Sequence, residues 1–153
     1  MERGLNRTAL QLYPHIFSPI TIGGGQTGCE VGVHYGMAGK QVTVLGGRAL
    51  AKDAMRTYRE ELLGQVNDHC AAAYVGGRCT EITEKGARYI DAEGKELFIE
   101  ADTVIFATGM KALGELAESF RECAPEFRKI GDCDRVGNVK LATRAAFEAA
   151  MTI

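Results

Sequence analysis

A glycine-rich turn near the start of the chain is the feature that most constrains its fold. Gly23, Gly25 and Gly28 have the spacing G-x-G-x-x-G and follow the short, largely β-branched segment 20–22. After a strand, the first glycine permits a tight turn, the second lets the backbone approach a pyrophosphate, and the third lets a helix pack closely on the strand. The N–H groups that begin such a helix favour bound phosphate. The pattern therefore predicts a dinucleotide-binding turn between a strand and a helix.

The residues around the turn supply the context that such a pattern needs. Small and apolar residues run from Cys29 to Ala38, and Gly39-Lys40 ends the predicted helix. The segment from Gln41 to Leu45 predicts a second strand. Strand, helix and strand together favour a nucleotide-binding βαβ unit. A glycine turn with a purely structural role is the alternative.

A second helix is predicted over residues 53–69. Its apolar residues recur at steps of three and four, which places them on one face. They are Met55, Tyr58, Leu62 and Val66. Asp53 is suited to cap the first turn of this helix, because its carboxylate can accept a backbone N–H.

After the second predicted helix, the apolar residues first alternate with polar ones in short segments and then form longer continuous runs. Turn signals at Lys85-Gly86 and Glu93-Gly94 separate three short alternating segments, which predicts an antiparallel meander. The predicted order after the second helix is strand 72–75, meander strands 79–83, 87–91 and 96–99, buried strand 103–107, helix 113–120, strand 127–130 and helix 139–151. The fold class predicted is α/β, a Rossmann-like fold with a parallel sheet and an antiparallel β-meander.

Composition narrows the classes of partner. The 153 residues carry a formal net charge of −2 and no long basic run, so neither a nucleic acid nor an anionic membrane is predicted as a partner. No apolar stretch approaches the length of a membrane span, and the N-terminus lacks the apolar core of a signal peptide. We therefore expect a cytoplasmic location.

Cysteine and histidine spacing suggests no chemistry of its own. The cysteines are scattered without C-x-x-C spacing: Cys29, Cys70, Cys79, Cys123 and Cys133. This predicts reduced thiols rather than a disulfide framework, a metal site or a dithiol centre. The histidines, His15, His34 and His69, have no carboxylate or cysteine at a useful spacing. No catalytic residue and no metal ligand is predicted in this chain.

Two later motifs, which follow the glycine turn in this order, point to a family. Ala107-Thr108-Gly109 ends a predicted buried strand, and Ile130-Gly131-Asp132 precedes the last helix. Together with the segment Gly23-Gly24-Gly25-Gln26-Thr27-Gly28-Cys29-Glu30, they make the chain resemble flavoproteins of the pyridine nucleotide-disulfide oxidoreductase type. Details at 39–45 and 130–133 are similar, more narrowly, to the C-terminal part of NADH:flavin oxidoreductases related to 2,4-dienoyl-CoA reductase and old yellow enzyme. The resemblance covers about residues 19–153.

The resemblance implies that the chain is a piece of a longer reductase. It implies an NAD(P)-binding domain over 19–101 and the C-terminal part of an FAD-binding domain over 102–153, whose N-terminal half this chain lacks. Residues 1–18 are then a linker or a remnant. By this resemblance, NAD(P)H in the parent enzyme gives a hydride to FAD, and electrons then pass through other centres to an enoate or dienoyl-CoA substrate. FMN and an iron–sulfur cluster are implied elsewhere in the parent.

The same resemblance implies the partners. They are the nucleotide cofactor and the remainder of the parent reductase. An apolar face left exposed where the FAD subdomain docks is expected to favour self-association into a homo-oligomer.

The resemblance also implies cofactor contacts. For the nicotinamide nucleotide they are Gly23, Gly24, Gly25, Gln26, Thr27, Gly28, Glu30, Gly46 and Arg48; for FAD they are Ala107, Thr108, Gly109, Gly131 and Asp132. Asp132 is expected to accept a hydrogen bond from the ribityl chain of FAD. Glu30 lies either near the nicotinamide ribose or simply in the first turns of the helix, where a carboxylate suits the helix dipole.

One departure from the family pattern concerns the choice of nucleotide. Gly46, followed by Gly47-Arg48, replaces the acid that usually binds the ribose 2′-hydroxyl of NAD. Arg48 is suited to a 2′-phosphate, which favours NADP over NAD. In the alternative, the site is degenerate and Arg48 is a solvated loop charge.

Three functions stay open at this point. The chain is the cofactor-binding segment of a flavin reductase with no turnover alone, a stand-alone NAD(P)-binding module, or a remnant that binds nothing.

Overall fold

The computed structural model describes residues 14–152, which form two compact units. The first unit ends at Gly109 and the second begins at Met110. Residues 1–13, most of the predicted linker, lie outside the described residues.

The first unit is a parallel sheet with helices and a meander. Its elements are β1 (Pro19–Ile22), α1 (Gln26–Met37), β2 (Thr43–Leu45), α2 (Arg56–His69), β3 (Ala72–Tyr74), β4 (Arg78–Thr83), β5 (Gly86–Ile90), β6 (Glu96–Glu100) and β7 (Thr103–Phe106). The sheet has the strand order β3-β2-β1-β7, and all of its pairings are parallel. The order places β1 at the centre, so the glycine turn that follows it lies between the carboxyl ends of its neighbours.

The two helices of this unit bury one face of the sheet. The side chains between α1, α2 and the sheet form one cluster of buried residues: Cys29, Val33, Val42, Val44, Ala51, Leu62 and Val66. A Cβ added to Gly32 would lie 2.8 Å from the Val44 side chain, so the small residue lets α1 lie close to β2. The small and apolar composition predicted for this helix thus has a packing reason.

The antiparallel meander contributes the second core. Strands β4, β5 and β6 pair in that order, and their buried residues pack with those of β1 and β2: Ile20, Ile22, Leu45, Ala87, Tyr89 and Ala101. Val44 and Leu45 are consecutive yet belong to different clusters, because successive strand residues point to opposite faces. The near-continuous apolar character of the parallel strands follows from burial on both sides.

The second unit has little regular structure apart from its last helix. It contains α3 (Gly114–Glu118), single 3₁₀ turns at Arg121–Cys123 and Gly131–Cys133, and α4 (Val139–Ala150). Asn138 caps α4, because its side-chain oxygen accepts the Leu141 N–H at 3.0 Å. None of the helical residues described in this unit is buried.

The predicted fold class is confirmed, since a parallel sheet and an antiparallel three-stranded meander are both present. Within the described residues, no helix is long and apolar enough to cross a membrane.

The start of the second helix was predicted wrongly. Helix α2 begins at Arg56 with Met55 at its N-cap, and Met55 is 77% exposed. Leu62 and Val66 face the core as predicted, but Tyr58 is largely exposed. The reason is that the loop before α2 folds toward the glycine turn, where the Asp53 carboxylate accepts the Gln26 N–H instead of capping its own helix.

The strand predicted over 127–130 does not form. These residues are irregular, and the Arg121 guanidinium lies over the Phe127 ring. A strand needs a hydrogen-bonding neighbour, and residues 110–152 contain no strand that could pair with this one.

The division into cofactor domains after residue 101 stays a prediction, while the two compact units divide after Gly109. Strand β7 pairs with β1, and the Ala107 N–H donates to the Ile22 carbonyl at 2.8 Å, so residues 102–109 belong to the first unit. The assignment of the remaining C-terminal residues to an FAD-binding domain stays a prediction.

Candidate functional site

The glycine turn is shaped by close backbone contacts. Gly23 has a φ of +112°, a conformation that favours glycine, and its N–H donates to the Leu45 carbonyl at 2.9 Å. A Cβ at this position would overlap the carbonyl of Ala107. Only glycine fits at position 23, because the turn after β1 lies between the ends of its two neighbouring strands, β2 and β7.

The third glycine brings helix and turn together. A Cβ added to Gly28 would overlap the Gly23 carbonyl oxygen, so no larger residue fits while α1 keeps its position. Gly24 lies equally close to its surroundings, with the Leu50 side chain 2.6 Å and the Gly46 Cα 2.7 Å from the position of an added Cβ. At these glycines an added Cβ would meet the protein's own atoms, so the turn over residues 23–28, here called the glycine cradle, is a tight strand–turn–helix backbone of the kind found at dinucleotide sites.

The start of α1 is capped from a distant loop. Gly25 occupies the N-cap position and has no side chain, and the Asp53 carboxylate accepts the Gln26 N–H at 2.7 Å. Ala51, with a φ of 47°, donates its N–H to the Gly24 carbonyl at 2.7 Å. The loop between β2 and α2 therefore holds both sides of the glycine turn. Asp53 is part of this site, and the sequence assigned it to the wrong helix.

Glu30 lies between the two helices. Its Oε1 accepts hydrogen bonds from Gln26 Nε2 at 2.9 Å and from the Tyr58 hydroxyl at 2.7 Å. The bond to Glu30 raises the pKa of Tyr58 above its ordinary value, because the carboxylate stabilises the protonated phenol. Glu30 thus ties α1 to α2, a role that neither sequence-based interpretation included. Thr27 is exposed beside it.

A cavity of about 320 Å³ opens next to the turn. It is lined in part by three residues that were predicted as cofactor contacts, Gly23, Gly46 and Thr108. The sequence did not predict the lining residues Gly47, Gly77, Arg78, Cys79 and Tyr89 as site residues. Arg48 is exposed and does not line the cavity.

The Tyr89 hydroxyl bonds to two of the glycines that line this cavity, Gly46 and Gly77. Its hydroxyl donates to the Gly46 carbonyl at 3.1 Å and accepts the Gly77 N–H at 2.9 Å, while the side chain is 1% exposed. Burial raises the pKa of Tyr89, so the hydroxyl stays protonated and can donate. The sequence predicted only an alternating strand over 87–91, and no local pattern shows that Tyr89 reaches two glycine turns.

The residues predicted to contact FAD fall into two groups. Ala107 and Thr108 lie in the first unit, at the glycine turn and the cavity, with Gly109 directly after them. Gly131 and Asp132 belong to the second unit, where Gly131 has a φ of +62° and Asp132 Oδ1 accepts the Gly137 N–H at 3.0 Å. The flavin contacts of all five residues stay predictions.

Comparison with known proteins identifies the family. Residues 6–145 match the pyridine nucleotide-disulphide oxidoreductase family, and the chain belongs to it. The chain is 31% identical over 136 residues to an NADH oxidase of Thermoanaerobacter brockii and 28% identical over 145 residues to a cinnamate reductase of Clostridium sporogenes. Each match covers 88% of this chain but 21% of the relative, so the chain spans about a fifth of these proteins.

One solved structure has a similar fold. The 2-naphthoyl-CoA reductase in complex with 2-naphthoyl-CoA superposes with a TM-score of 0.81 at 26% identity, over 96% of this chain and 23% of that one. Membership of the family implies a nicotinamide nucleotide and a flavin as cofactors. The glycine cradle is compatible with a dinucleotide, because it joins β1 to the N-terminus of α1 by the tight G-x-G-x-x-G turn that binds pyrophosphate in such proteins.

Proposed function

We propose that this chain is the nucleotide-binding segment of a longer NAD(P)H-dependent flavin oxidoreductase and holds NAD(P)H while hydride passes to FAD. The observation that carries the proposal is the glycine cradle. Gly23, Gly24 and Gly28 cannot gain a side chain without a clash with the protein's own atoms, and α1 begins at Gln26, within this turn. Close backbone approach combined with a helix N-terminus is the arrangement that binds a pyrophosphate.

The residues of the chain bind and orient rather than react. The Gly23 N–H already donates to Leu45 and the Gln26 N–H to Asp53, so other N–H groups of the turn and of the first turn of α1 would hold the pyrophosphate. The cavity beside Gly46 and Gly77 would take the adenosine side. When bound, the nicotinamide supplies the hydride and the flavin accepts it; the protein provides position and excludes water. Asp53 keeps the turn in place through the Gln26 N–H.

The proposal extends to the substrate class of the longer protein. The similar proteins named a cinnamate reductase and a 2-naphthoyl-CoA reductase have names that refer to unsaturated or aromatic carboxylic acids or their thioesters. These names support an enoate or enoyl-CoA type of substrate, bound outside this chain. FMN and an iron–sulfur cluster, if the longer protein resembles these relatives in full, would also be held elsewhere in it.

Calorimetric titration of the 153-residue chain with NADPH, NADH and FAD tests the proposal. Gly25→Ala is the informative variant, since its φ is ordinary and the added methyl would lie 3.3 Å from Asp53 Oδ1, a tight contact that a shift of the carboxylate by a few tenths of an ångström would relieve. The methyl would stand where the backbone approaches phosphate, so we expect nucleotide affinity to fall while the fold is kept. Gly64→Ala is the matched control, because nothing lies within 4 Å of its added Cβ.

The outcomes separate the three functions. Binding of a nicotinamide nucleotide that is weakened by Gly25→Ala and not by Gly64→Ala supports the proposal. A flavin absorption band in the purified chain would support the reductase segment over a stand-alone nucleotide-binding module. No binding of NADPH, NADH or FAD by the folded chain would favour the non-binding remnant and contradict the proposal.

A further inference from the structure

We infer that Arg78 is the residue that selects a phosphorylated adenosine ribose, and so distinguishes NADPH from NADH. The inference rests on the proposed function and deepens it. It assigns the charge that selects NADPH to Arg78, the first residue of the meander, and not to Arg48, which lies in the loop after β2.

The first support is the chemistry of the cavity wall. Where the cavity meets the ends of β2 and β3 its wall is made of Gly46, Gly47 and Gly77, which offer no side chain to a ribose. No carboxylate is among the described residues that line the cavity, so the usual acceptor for a 2′-hydroxyl is missing. Arg78 is the one charged side chain among those lining residues.

The second support is the chemistry of arginine. A guanidinium presents donors in a rigid fork that matches two phosphate oxygens. Arg78 is exposed, so its charge stays hydrated without ligand and carries no burial cost in the empty protein. A 2′-hydroxyl, in contrast, gains little from a cation, and NADH is expected to be nearly indifferent to this residue.

The third support is the way in which Arg78 is held. It directly follows Gly77, whose N–H donates to the Tyr89 hydroxyl, and the same hydroxyl donates to the Gly46 carbonyl. Arg78 also pairs with Ile90, the residue after Tyr89, in the meander. Tyr89 is therefore a positioning residue that fixes the backbone of Arg78 relative to the end of β2.

Arg48 lacks this setting. It is an exposed loop residue, and it is not among the residues that line the cavity. The sequence suggested Arg48 because it follows the position of the missing acid, whereas the structure places Arg78 in the wall opposite that position.

The test measures dissociation constants of the 153-residue chain for NADPH and for NADH, with Arg78→Gln and Arg48→Gln as matched variants. We expect Arg78→Gln to weaken NADPH binding by about tenfold or more, the loss of a charge-assisted hydrogen bond, and to change NADH binding by less than about twofold. Arg48→Gln is expected to leave the ratio of the two constants unchanged. Arg78→Lys should restore part of the preference, since it keeps the charge but loses the fork.

Tyr89→Phe provides a second, independent variant. It is expected to reduce the preference for NADPH while circular dichroism shows the fold retained, because Gly77 loses its acceptor and Arg78 its fixed position. Tyr74→Phe is the control, since Tyr74 is a neighbouring ring, 6.0 Å from Tyr89 between centroids, that does not line the cavity.

Several results would overturn the inference. Loss of the preference in Arg48→Gln but not in Arg78→Gln would return the role to the loop. Equal weakening of both nucleotides by Arg78→Gln, or equal binding of the two by the unmodified chain, would overturn the inference and leave the proposed function standing. Failure of the unmodified, folded chain to bind either nucleotide would overturn both.

Discussion

The first unit of this chain contains two buried apolar clusters, whereas none of the helical residues described in the second unit is buried. In the first unit, the sheet is covered by helices on one face and by the meander on the other, and both contact faces are buried clusters. In the second unit, large apolar side chains stay exposed, among them Leu116, Phe120, Val139, Leu141 and Phe147. A site can be held in position where its supporting residues pack against one another, which is the case for the glycine turn.

The second unit contains a helix that is capped but not buried. Helix α4 is well capped by Asn138, yet none of its described residues is buried. A helix of 12 residues is marginal in water by itself, and most helix stability in proteins comes from packing of an apolar face, so we expect α4 to be the least stable of the long helices. Large apolar side chains of this unit are exposed. The apolar docking face expected for the remainder of a longer reductase stays a prediction.

The largest expected contrast comes from one leucine in each unit. Leu62→Ala, at a side chain that is 1% exposed in the helix-side core, should lower the free energy of unfolding by about 2–5 kcal/mol. Leu141→Ala, at a side chain that is 51% exposed, should change it by less than about 0.5 kcal/mol. Urea denaturation followed by circular dichroism measures both. Similar losses for the two variants would contradict the contrast between the units.

The next contrast concerns the glycines. Gly28→Ala forces α1 away from the turn and is expected to cost about 1–3 kcal/mol by overpacking, together with loss of nucleotide binding. Gly64→Ala in α2 has open space and should stabilise the helix slightly, by up to about 1 kcal/mol. Thermal unfolding of the two variants compares them directly. A neutral Gly28→Ala would mean that the close contact of helix and turn is not required.

The helix caps of the two units differ in how far apart along the chain the two bonded residues lie. Asp53→Ala removes the acceptor of the Gln26 N–H and is expected to cost about 0.5–2 kcal/mol of global stability, because it also frees the loop from the glycine turn. Asn138→Ala removes a cap within its own helix and should fray α4 without a comparable global effect. Hydrogen exchange at the amides of both helices distinguishes local from global opening. A loss of global stability in Asn138→Ala would contradict this difference between the units.

The smallest expected effect is a dependence on pH. Burial alone would raise the pKa of Asp102, but the N–H groups of Ser18 and Phe17 at 2.9 and 2.8 Å outweigh it, and the pKa lies below its ordinary value. A lowered pKa contributes stability above the unfolded pKa that is lost as the pH falls through the folded pKa. The Tm should therefore decline on acidification below the ordinary range of an aspartate, and less steeply in Asp102→Asn.

Glu118 in the second unit gives the comparison for this prediction. The Arg121 side chain, with help from Lys129, lowers its pKa, but the ion pairs are exposed. Solvent screens such pairs, so Glu118→Gln should change the acid limb of the Tm profile less than Asp102→Asn does. An equal or larger change would show that the exposed pairs matter as much as the bonds that fasten residues 17 and 18 to the start of β7.

Much of the architecture was accessible from sequence because it follows local rules. The glycine spacing, the turn signals at Lys85-Gly86 and Glu93-Gly94, and the apolar run 103–107 each correspond to elements of the structure. The failures have a common cause. Asp53 and the strand expected over 127–130 were interpreted from their immediate neighbours, whereas capping and strand pairing depend on distant partners.

The sequence by itself determined the order of elements in the first unit, the glycine turn and the resemblance to the family, because spacing and periodicity are carried by adjacent residues. Tertiary structure decided which carboxylate caps α1 and which residues line the cavity. The bond from Gln26 to Asp53 spans 27 residues, and that from Tyr89 to Gly46 spans 43. Contacts of that range exist only after the sheet, its helices and the meander have come together, so no local pattern encodes them.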